Sequence, residues 1–234
     1  MSDSLELLEA GDVEVLGLLP YSSNYTFLAR VTKGDDEALA VYKPTRGERP
    51  LRDFPDGSLA RREVAAYVVS ELSGWKLVPP TVLRGDAPLG QGSLQLFVHH
   101  DPNVHYFTLV EERPNDFRVF ALFDAVANNA DRKSGHVIRD GRGKLWAVDH
   151  GLTFHVDDKL RTVIWAFAEE PLTAREIAQL DALAGALEDR AQVELDALLE
   201  GAEIEALNAR IKDLIRARVF PVPHGERPVP WPLV

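Results

Sequence analysis

The chain contains no cysteine, so it can form neither disulfides nor thiolate metal sites. Long apolar runs are also missing, and none approaches the roughly 20 residues that a membrane-spanning helix requires. The N-terminal segment "MSDSLELLEAGD" is acidic and lacks the basic and apolar regions of a secretion signal. These absences predict a cytoplasmic protein without integral membrane contact.

Positive charge is scarce as well. Lys and Arg number 26 against 37 Asp and Glu, which gives a formal net charge of −11. Such a charge disfavours general attraction to nucleic-acid phosphates or to anionic membranes. We therefore expect no nucleic-acid partner.

The first part of the sequence is strand-like. Short β-type runs occur in "VEVLGLL", "YTFLARV" and "EALAVYKP", and two more follow in "WKLVPPTVLRG" and "GSLQLFVHH". Between the third and fourth runs, Ser58 is suited to cap a helix that continues to Leu72. Residues 1–98 are thus predicted to form an N-terminal lobe, in which an antiparallel sheet of five strands carries one helix.

The remainder, residues 99–234, is predicted to be a mainly helical C-terminal lobe. It begins with a helix in "FRVFALFDAVANN" and a tight hairpin formed by "HVIRD" and "LWAVD" around "GRGK". Thr173 and Glu176 have the spacing of a capping box, and two further helices follow. The proline-rich tail predicts an extended strap, for which Trp231 is the candidate anchor. The predicted fold class is α+β with two lobes.

The N-terminal lobe offers three devices that phosphoryl transfer from a nucleotide requires. The loop "PYSSN" provides Ser22, Ser23 and Asn24 as candidate phosphate ligands. Lys43, at the end of the third strand, can reach a nucleotide in a cleft. Glu63, in the first turns of the helix, can hold that lysine in place. Alone, each of these residues also has an ordinary structural interpretation; together and in this order they indicate a nucleotide site.

The C-terminal lobe supplies the complementary groups around its hairpin. Asp131 lies in the loop before the hairpin and can orient an acceptor hydroxyl. Lys133 can neutralise charge on the transferred group. His136 begins the hairpin and Asp149 ends it, so both can approach one Mg²⁺ beside the phosphates.

These segments resemble a known group of proteins. "NNADRKSGHVI" and "WAVDHGLTF" are similar to the catalytic and metal-binding segments of atypical kinases, which include phosphatidylinositol 3-/4-kinases and HipA-type serine/threonine kinases. "PYSSNYTFL", "AVYKPTRGERPLRDFPDGSLARREVAAY" and the "VPWP" tail resemble more closely a little-characterised actinobacterial family described as phosphatidylinositol kinase-like. The resemblance implies a two-lobed protein-kinase-like fold that binds ATP and Mg²⁺.

The resemblance also implies roles for individual residues. A hinge at Leu96, Phe97 and Val98 would meet adenine, Asp131 would be the catalytic group and Asp149 the principal metal ligand. Two residues depart from the pattern: Lys133 stands where these kinases commonly have His, and His136 where they have a metal-binding Asn. Because Mg²⁺ prefers oxygen ligands, the imidazole could shift the preference towards Mn²⁺.

Three functions remain open at this point. The first is a kinase that acts on a hydroxyl of a protein or small molecule, with a phosphoinositide as one candidate. The second is a nucleotide-binding pseudokinase or scaffold without transfer activity. The third is a hydrolase built on Asp131 and Asp149, which leaves Lys43 and Glu63 without roles. A zinc site at His99, His100 and His105 is a weaker interpretation of a polar linker.

Overall fold

The predicted five-stranded sheet of the N-terminal lobe is present. A computed structural model describes residues 2–20, 24–188 and 191–234. The strands are β1 (Asp12–Leu18), β2 (Phe27–Lys33), β3 (Asp36–Pro44), β4 (Thr81–Arg84) and β5 (Gly92–Leu96). Their order in the sheet is β1-β2-β3-β5-β4, and all neighbours are antiparallel. β3, the strand that carries Lys43, is therefore central and forms hydrogen bonds with a neighbouring strand on each side.

Two helices accompany this sheet where one was predicted. α2 (Leu59–Leu72) is the expected helix and contacts β4 and β5. α1 (Ser2–Ala10), which the sequence analysis missed, places Leu7 and Leu8 in the apolar cluster of the sheet. Burial of these two leucines stabilises a helix that is too short to persist alone in water.

The cap of α2 differs from the prediction. Ser58 adopts helical dihedral angles and makes no capping bond, and its hydroxyl donates to Pro55 O (2.6 Å). The carboxylate of Glu48 instead accepts hydrogen bonds from the N–H groups of Leu59 (3.2 Å) and Ala60 (2.9 Å). A negative charge at this end also complements the helix dipole, so Glu48 fixes the start of the helix that carries Glu63.

The C-terminal lobe is mainly helical, as predicted. Its elements are α3 (Tyr106–Leu109), α4 (Arg118–Ala127), β6 (Val137–Arg139), β7 (Leu145–Ala147), α5 (Ala174–Glu188), α6 (Ala191–Asp196) and α7 (Gly201–Ala217). β6 and β7 form the expected antiparallel hairpin. The capping box of α5 is confirmed, because Thr173 N–H donates to Glu176 (2.7 Å) and Glu176 N–H donates to Thr173 Oγ1 (3.2 Å).

Apolar side chains of α4 join the helices of this lobe. Phe120 and Phe123 are buried and belong to one cluster with side chains of α2, α5 and α7. The helix that carries Glu63 is consequently packed against the C-terminal lobe. Among the described residues, every helix is too short or too polar to cross a membrane.

The tail forms an extended strap, but Trp231 does not anchor it. The Trp231 side chain is 86% exposed. Backbone carbonyls hold the strap instead: Pro228 O accepts from Trp165 Nε1 (3.0 Å), and Leu233 O accepts from Ser134 N–H (2.8 Å). Proline keeps its carbonyl as an acceptor although it has no N–H, so a proline-rich strap can bind through its oxygens.

Candidate active site

Lys43 connects the two lobes in the cleft. Its ammonium pairs with the Glu63 carboxylate on α2 and with Asp149 Oδ1 (2.8 Å). Burial alone would lower the pKa of Lys43, but the carboxylates of Asp149 and Glu63 outweigh this effect and raise it. The lysine is thus a fixed cation, aimed from the end of β3 into the cleft.

Asp149 follows β7 in a left-handed backbone conformation with φ of 60°. Its side chain is 51% exposed, and Oδ2 lies 3.2 Å from His136 Nε2. Crowding by protein atoms would alone raise the pKa of Asp149, but the Lys43 ammonium and the His136 ring hold it well below its usual range. The carboxylate is therefore ionised and reachable from the cleft, as a metal ligand must be.

The turn after Asp149 packs closely on α2. A Cβ atom on Gly151 would lie 3.3 Å from Leu59 Cβ and 3.7 Å from Glu63 Oε1. His150 N–H donates to Glu63 Oε2 (2.9 Å). Glycine at position 151 allows this close approach. Glu63 thus binds Lys43 through Oε1 and the turn after Asp149 through Oε2.

His136 faces Asp149 as a neutral ring. Burial lowers the pKa of His136 to about 4, although Asp149 opposes the shift. Its Nδ1 accepts from Lys133 N–H (3.4 Å), so the tautomer that satisfies both contacts carries its proton on Nε2 and donates to Asp149. The observed geometry fits a donor that orients Asp149, and metal binding through Nε2 would require the other tautomer.

Acid is expected to destabilise the protein through His136. Since its pKa falls from 6.5 to about 4 on folding, the folded state resists a proton that the unfolded chain accepts. The free energy of unfolding is therefore highest above pH 6.5. It decreases as the pH falls from 6.5 to about 4, by no more than about 3 kcal/mol. Denaturant unfolding at several pH values measures it. His136→Asn should be less acid-sensitive than wild type, whereas identical pH dependence in both would contradict the assignment.

Asp131 and Lys133 form a pair in the loop before the hairpin. Lys133 Nζ lies 3.2 Å from Asp131 Oδ2, and both side chains are partly exposed. Burial raises the pKa of Asp131 despite the nearby Lys133 ammonium. Asn129 Oδ1 accepts from Asp131 N–H (3.0 Å), which fixes the backbone of the loop. A carboxylate with a raised pKa is a better hydrogen-bond acceptor for a hydroxyl.

The sequence analysis missed the buried pair that supports this loop. Arg132 and Asp124 have fully buried side chains, and Arg132 Nη2 lies 2.9 Å from Asp124 Oδ1. Arg132 also donates to Val148 O (3.0 Å), and its Nη2 lies 2.9 Å from His150 Nε2. One guanidinium thus joins α4, the loop, the hairpin and the turn at Asp149. The available signal was Asp124 itself, a charged residue inside the apolar run "FALFDAVA".

The predicted phosphate loop is described only in part. Ser22 and Ser23 lie outside the described residues. Asn24 Oδ1 accepts from Arg49 N–H (3.0 Å), so this side chain joins the loop to the segment after β3. Its predicted contact with phosphate stays a prediction.

The predicted hinge already uses at least three of its backbone groups, of which the first is Leu96 N–H, which donates to Pro80 O (2.8 Å). Phe97 N–H donates to Leu39 O (2.9 Å), and Val98 O accepts from His100 Nδ1 (2.8 Å). Adenine would therefore have to bind through the other backbone groups of Phe97 and Val98. The hinge assignment stays a prediction.

Among the described residues, no group of three or more His, Asp or Glu side chains is arranged to hold a metal ion. The histidine linker does not form a zinc site there: His105 Nδ1 lies 2.7 Å from Ser134 Oγ, and His100 binds Val98 O. A cavity of about 220 Å³ is lined by residues of the segment from Thr45 to Leu59. The residues that line this cavity do not include Lys43, Asp131 or Asp149.

Relatives of this chain occur in a mycobacterium and in a plant. No family model matches the chain. It is 39% identical, over an alignment of 265 residues, to Protein Rv2133c of Mycobacterium tuberculosis (strain ATCC 25618 / H37Rv), covering 98% of this chain and 95% of that protein. It is 31% identical over 178 residues to Phosphatidylinositol 4-kinase gamma 4 of Oryza sativa subsp. japonica, which covers 63% of this chain but only 32% of that kinase.

Among solved structures, the fold is similar to the crystal structure of a Helicobacter pylori proinflammatory kinase, CtkA. The TM-score is 0.51 at 10% identity, with 91% of this chain and 94% of that chain covered. The fold is therefore the two-lobed, kinase-like one predicted. The chain belongs to the family of Protein Rv2133c.

Proposed function

We propose that the protein is an ATP-dependent phosphotransferase that transfers the γ-phosphoryl group to a hydroxyl of a protein or small molecule. The observation that carries this proposal is the position of Lys43, paired at once with Glu63 and Asp149 in the cleft. Kinases use a lysine on the third strand, its helix glutamate and a metal-binding aspartate in this relation. Asp131 and Lys133 are the side chains that would face the hydroxyl that receives the phosphoryl group.

Each residue then has a chemical role. Lys43 binds the α- and β-phosphates and is kept in place by Glu63. Asp131, with its raised pKa, accepts a hydrogen bond from the acceptor hydroxyl and orients it. Lys133 compensates negative charge on the transferred group. Ser22, Ser23, Asn24 and the hinge at Phe97 and Val98 are the remaining nucleotide contacts in this proposal.

The residues present fit a nucleotide-borne Mg²⁺ ion, and Mn²⁺ as an alternative. Mg²⁺ is commonly bound by one or two carboxylates together with substrate phosphates, and Asp149 supplies an ionised, accessible carboxylate. His136 is the second candidate ligand after a change of tautomer. When bound, the ion would neutralise charge on the phosphates.

A protein or metabolite hydroxyl suits this surface better than a phosphoinositide. The net charge is −11, and the segment "AQVELDALLEG" contains α6 and carries more acids than bases. Anionic lipid surfaces attract basic clusters and repel acidic ones. We therefore place protein and small-molecule acceptors ahead of lipid.

A pseudokinase is the second candidate function. The contact that favours it is His136 donating to Asp149 (3.2 Å), where related kinases place an asparagine that binds metal. In this alternative, the protein binds nucleotide but does not transfer phosphate. A hydrolase built on Asp131 and Asp149 is less favoured, because Asp149 pairs with Lys43 and Asp131 pairs with Lys133.

ATP with Mg²⁺ or Mn²⁺ is expected to raise the thermal stability of the protein. Nucleotide at about a hundredfold above its Kd stabilises by ~2.7 kcal/mol, or about 5–10 °C for a chain of this size. Lys43→Ala should abolish the shift, because it removes the cation for the phosphates. Thermal unfolding with and without nucleotide measures the effect.

Lys33→Ala is a matched control, since Lys33 ends β2 of the same sheet and forms an exposed pair with Glu6. It should retain the wild-type shift. The absence of any shift in wild type at millimolar nucleotide would contradict both nucleotide-binding functions. Phosphatase activity with metal but no nucleotide would instead favour the hydrolase.

A further inference from the structure

The residue before Glu63 is a fully buried arginine. Arg62 has 1% of its side chain exposed and pairs with Glu203 on α7. Its Nη1 donates to Thr153 O (2.5 Å), and its Nε donates to Ser58 Oγ (3.1 Å). The guanidinium also lies over the Phe54 ring, 5.0 Å from its centroid. α2 is thereby joined to α7 and to the segment that follows Gly151.

Neighbouring residues on a helix point roughly 100° apart. Glu63 therefore faces Lys43 while Arg62 faces α7, and both contacts depend on the same rotation of α2. An α2 that turned to withdraw Glu63 from Lys43 would also separate Arg62 from Glu203. Separation of a buried ion pair leaves uncompensated buried charge, which is strongly unfavourable.

We propose that Arg62 and Glu203 are positioning residues that hold α2 in the orientation that joins Glu63 to Lys43, so that the cleft is assembled before nucleotide binds. The catalytic consequence rests on the proposed function, whereas the orientation of α2 does not. On this proposal α2 is fixed by the fold itself and needs no separate activating event.

The chain contains a matched control for Glu203. Glu176 and Glu203 are each the third residue of their helix, α5 and α7, and each accepts from the backbone N–H three residues earlier (2.7 Å and 3.0 Å). Each also pairs with an arginine of another helix: Glu176 with Arg118 on α4, and Glu203 with Arg62 on α2. Glutamine at either position removes one carboxylate charge from the first turn of a helix. Arg118 then keeps Glu170 as a second carboxylate partner, and of the two glutamates it is Glu203 that pairs with a residue of α2.

The test compares Glu203→Gln with Glu176→Gln by amide hydrogen exchange without nucleotide. In Glu203→Gln, the amides of α2 should exchange at least about tenfold faster than in wild type, because this helix opens locally. In Glu176→Gln, α2 should exchange as in wild type, with any increase confined to α4 and α5. Equal exchange of α2 in both variants would overturn the proposal.

Kinetics with ATP provide the second measurement. Because small displacements of a positioning group reduce rates steeply, kcat/KM for ATP should fall by about tenfold or more in Glu203→Gln and by no more than about twofold in Glu176→Gln. Glu203→Asp, which keeps the charge, should restore part of the loss and replaces Glu203→Gln if that variant does not fold. If wild type shows no turnover, the proposed function fails and the exchange measurement still decides whether Glu203 holds α2.

Discussion

Replacing Asp131 by asparagine is expected to reduce the rate of phosphate transfer from ATP by about 10²- to 10⁴-fold, the usual contribution of a positioned acid or base. Asparagine keeps the size of the side chain but removes the carboxylate charge, which strengthens the hydrogen bond from the hydroxyl of the phosphoryl acceptor. Nucleotide-induced stabilisation should persist, since Lys43 and Asp149 are unchanged. Turnover of ATP with Mg²⁺ and with Mn²⁺, in the presence of cell extract as a source of acceptor, measures the rate.

Asp140→Asn is a suitable control for this experiment. Asp140 lies in the same lobe, where its carboxylate accepts from the N–H groups of Arg142 and Lys144 (both 2.9 Å) in the hairpin turn. Its replacement should leave transfer within about twofold of wild type, since asparagine keeps a side-chain oxygen that accepts from the same turn N–H groups. Nucleotide binding without any turnover that depends on Asp131 would establish the pseudokinase instead.

The largest loss of stability is expected from Asp124→Asn, which should lower the free energy of unfolding by about 3–5 kcal/mol. The variant leaves the fully buried Arg132 without its carboxylate partner. Thr162 Oγ1, which donates to Asp124 Oδ2 (3.0 Å), also loses a charged acceptor. Denaturant unfolding at neutral pH measures the change, with the midpoint and the slope reported separately.

Asp213→Asn is the corresponding surface control. Asp213 pairs with Arg216 (3.0 Å) on the exposed side of α7, and such exposed pairs contribute about 0–1 kcal/mol. A loss below about 1 kcal/mol in Asp124→Asn would mean that Arg132 finds full compensation from its backbone acceptors, and that the pair does not support the loop that contains Asp131.

Much of the fold was predictable because its signals are local. Short β-type runs between turn-rich segments indicated the five strands, and the spacing of Thr173 and Glu176 indicated the start of α5. The pairing of Lys43 with Glu63 followed from placing one on a strand and the other on the next helix. The short α1 was missed, since its stability comes from Leu7 and Leu8 packing on the sheet rather than from a pattern in the helix itself.

The remaining features of the site depend on contacts between distant parts of the sequence. Glu48 caps α2 from 11 residues before Leu59, and Arg62 meets Glu203 across 141 positions. The orientation of His136 depends on which ring nitrogen carries the proton, and a sequence pattern does not specify that choice. Composition suggested Trp231 as an anchor, but the strap uses backbone oxygens that any residue type could provide.

The backbone at Asp149 has a consequence for engineering this protein. A φ of 60° is comfortable for glycine and costs about 1 kcal/mol or more for most other residues. Glycine at position 149 would relax the backbone but remove the carboxylate from the cleft. The same carboxylate pairs with Lys43 (2.8 Å), so glycine would exchange relief of the backbone for a lost ion pair, and a variant at this position needs tests of both stability and function.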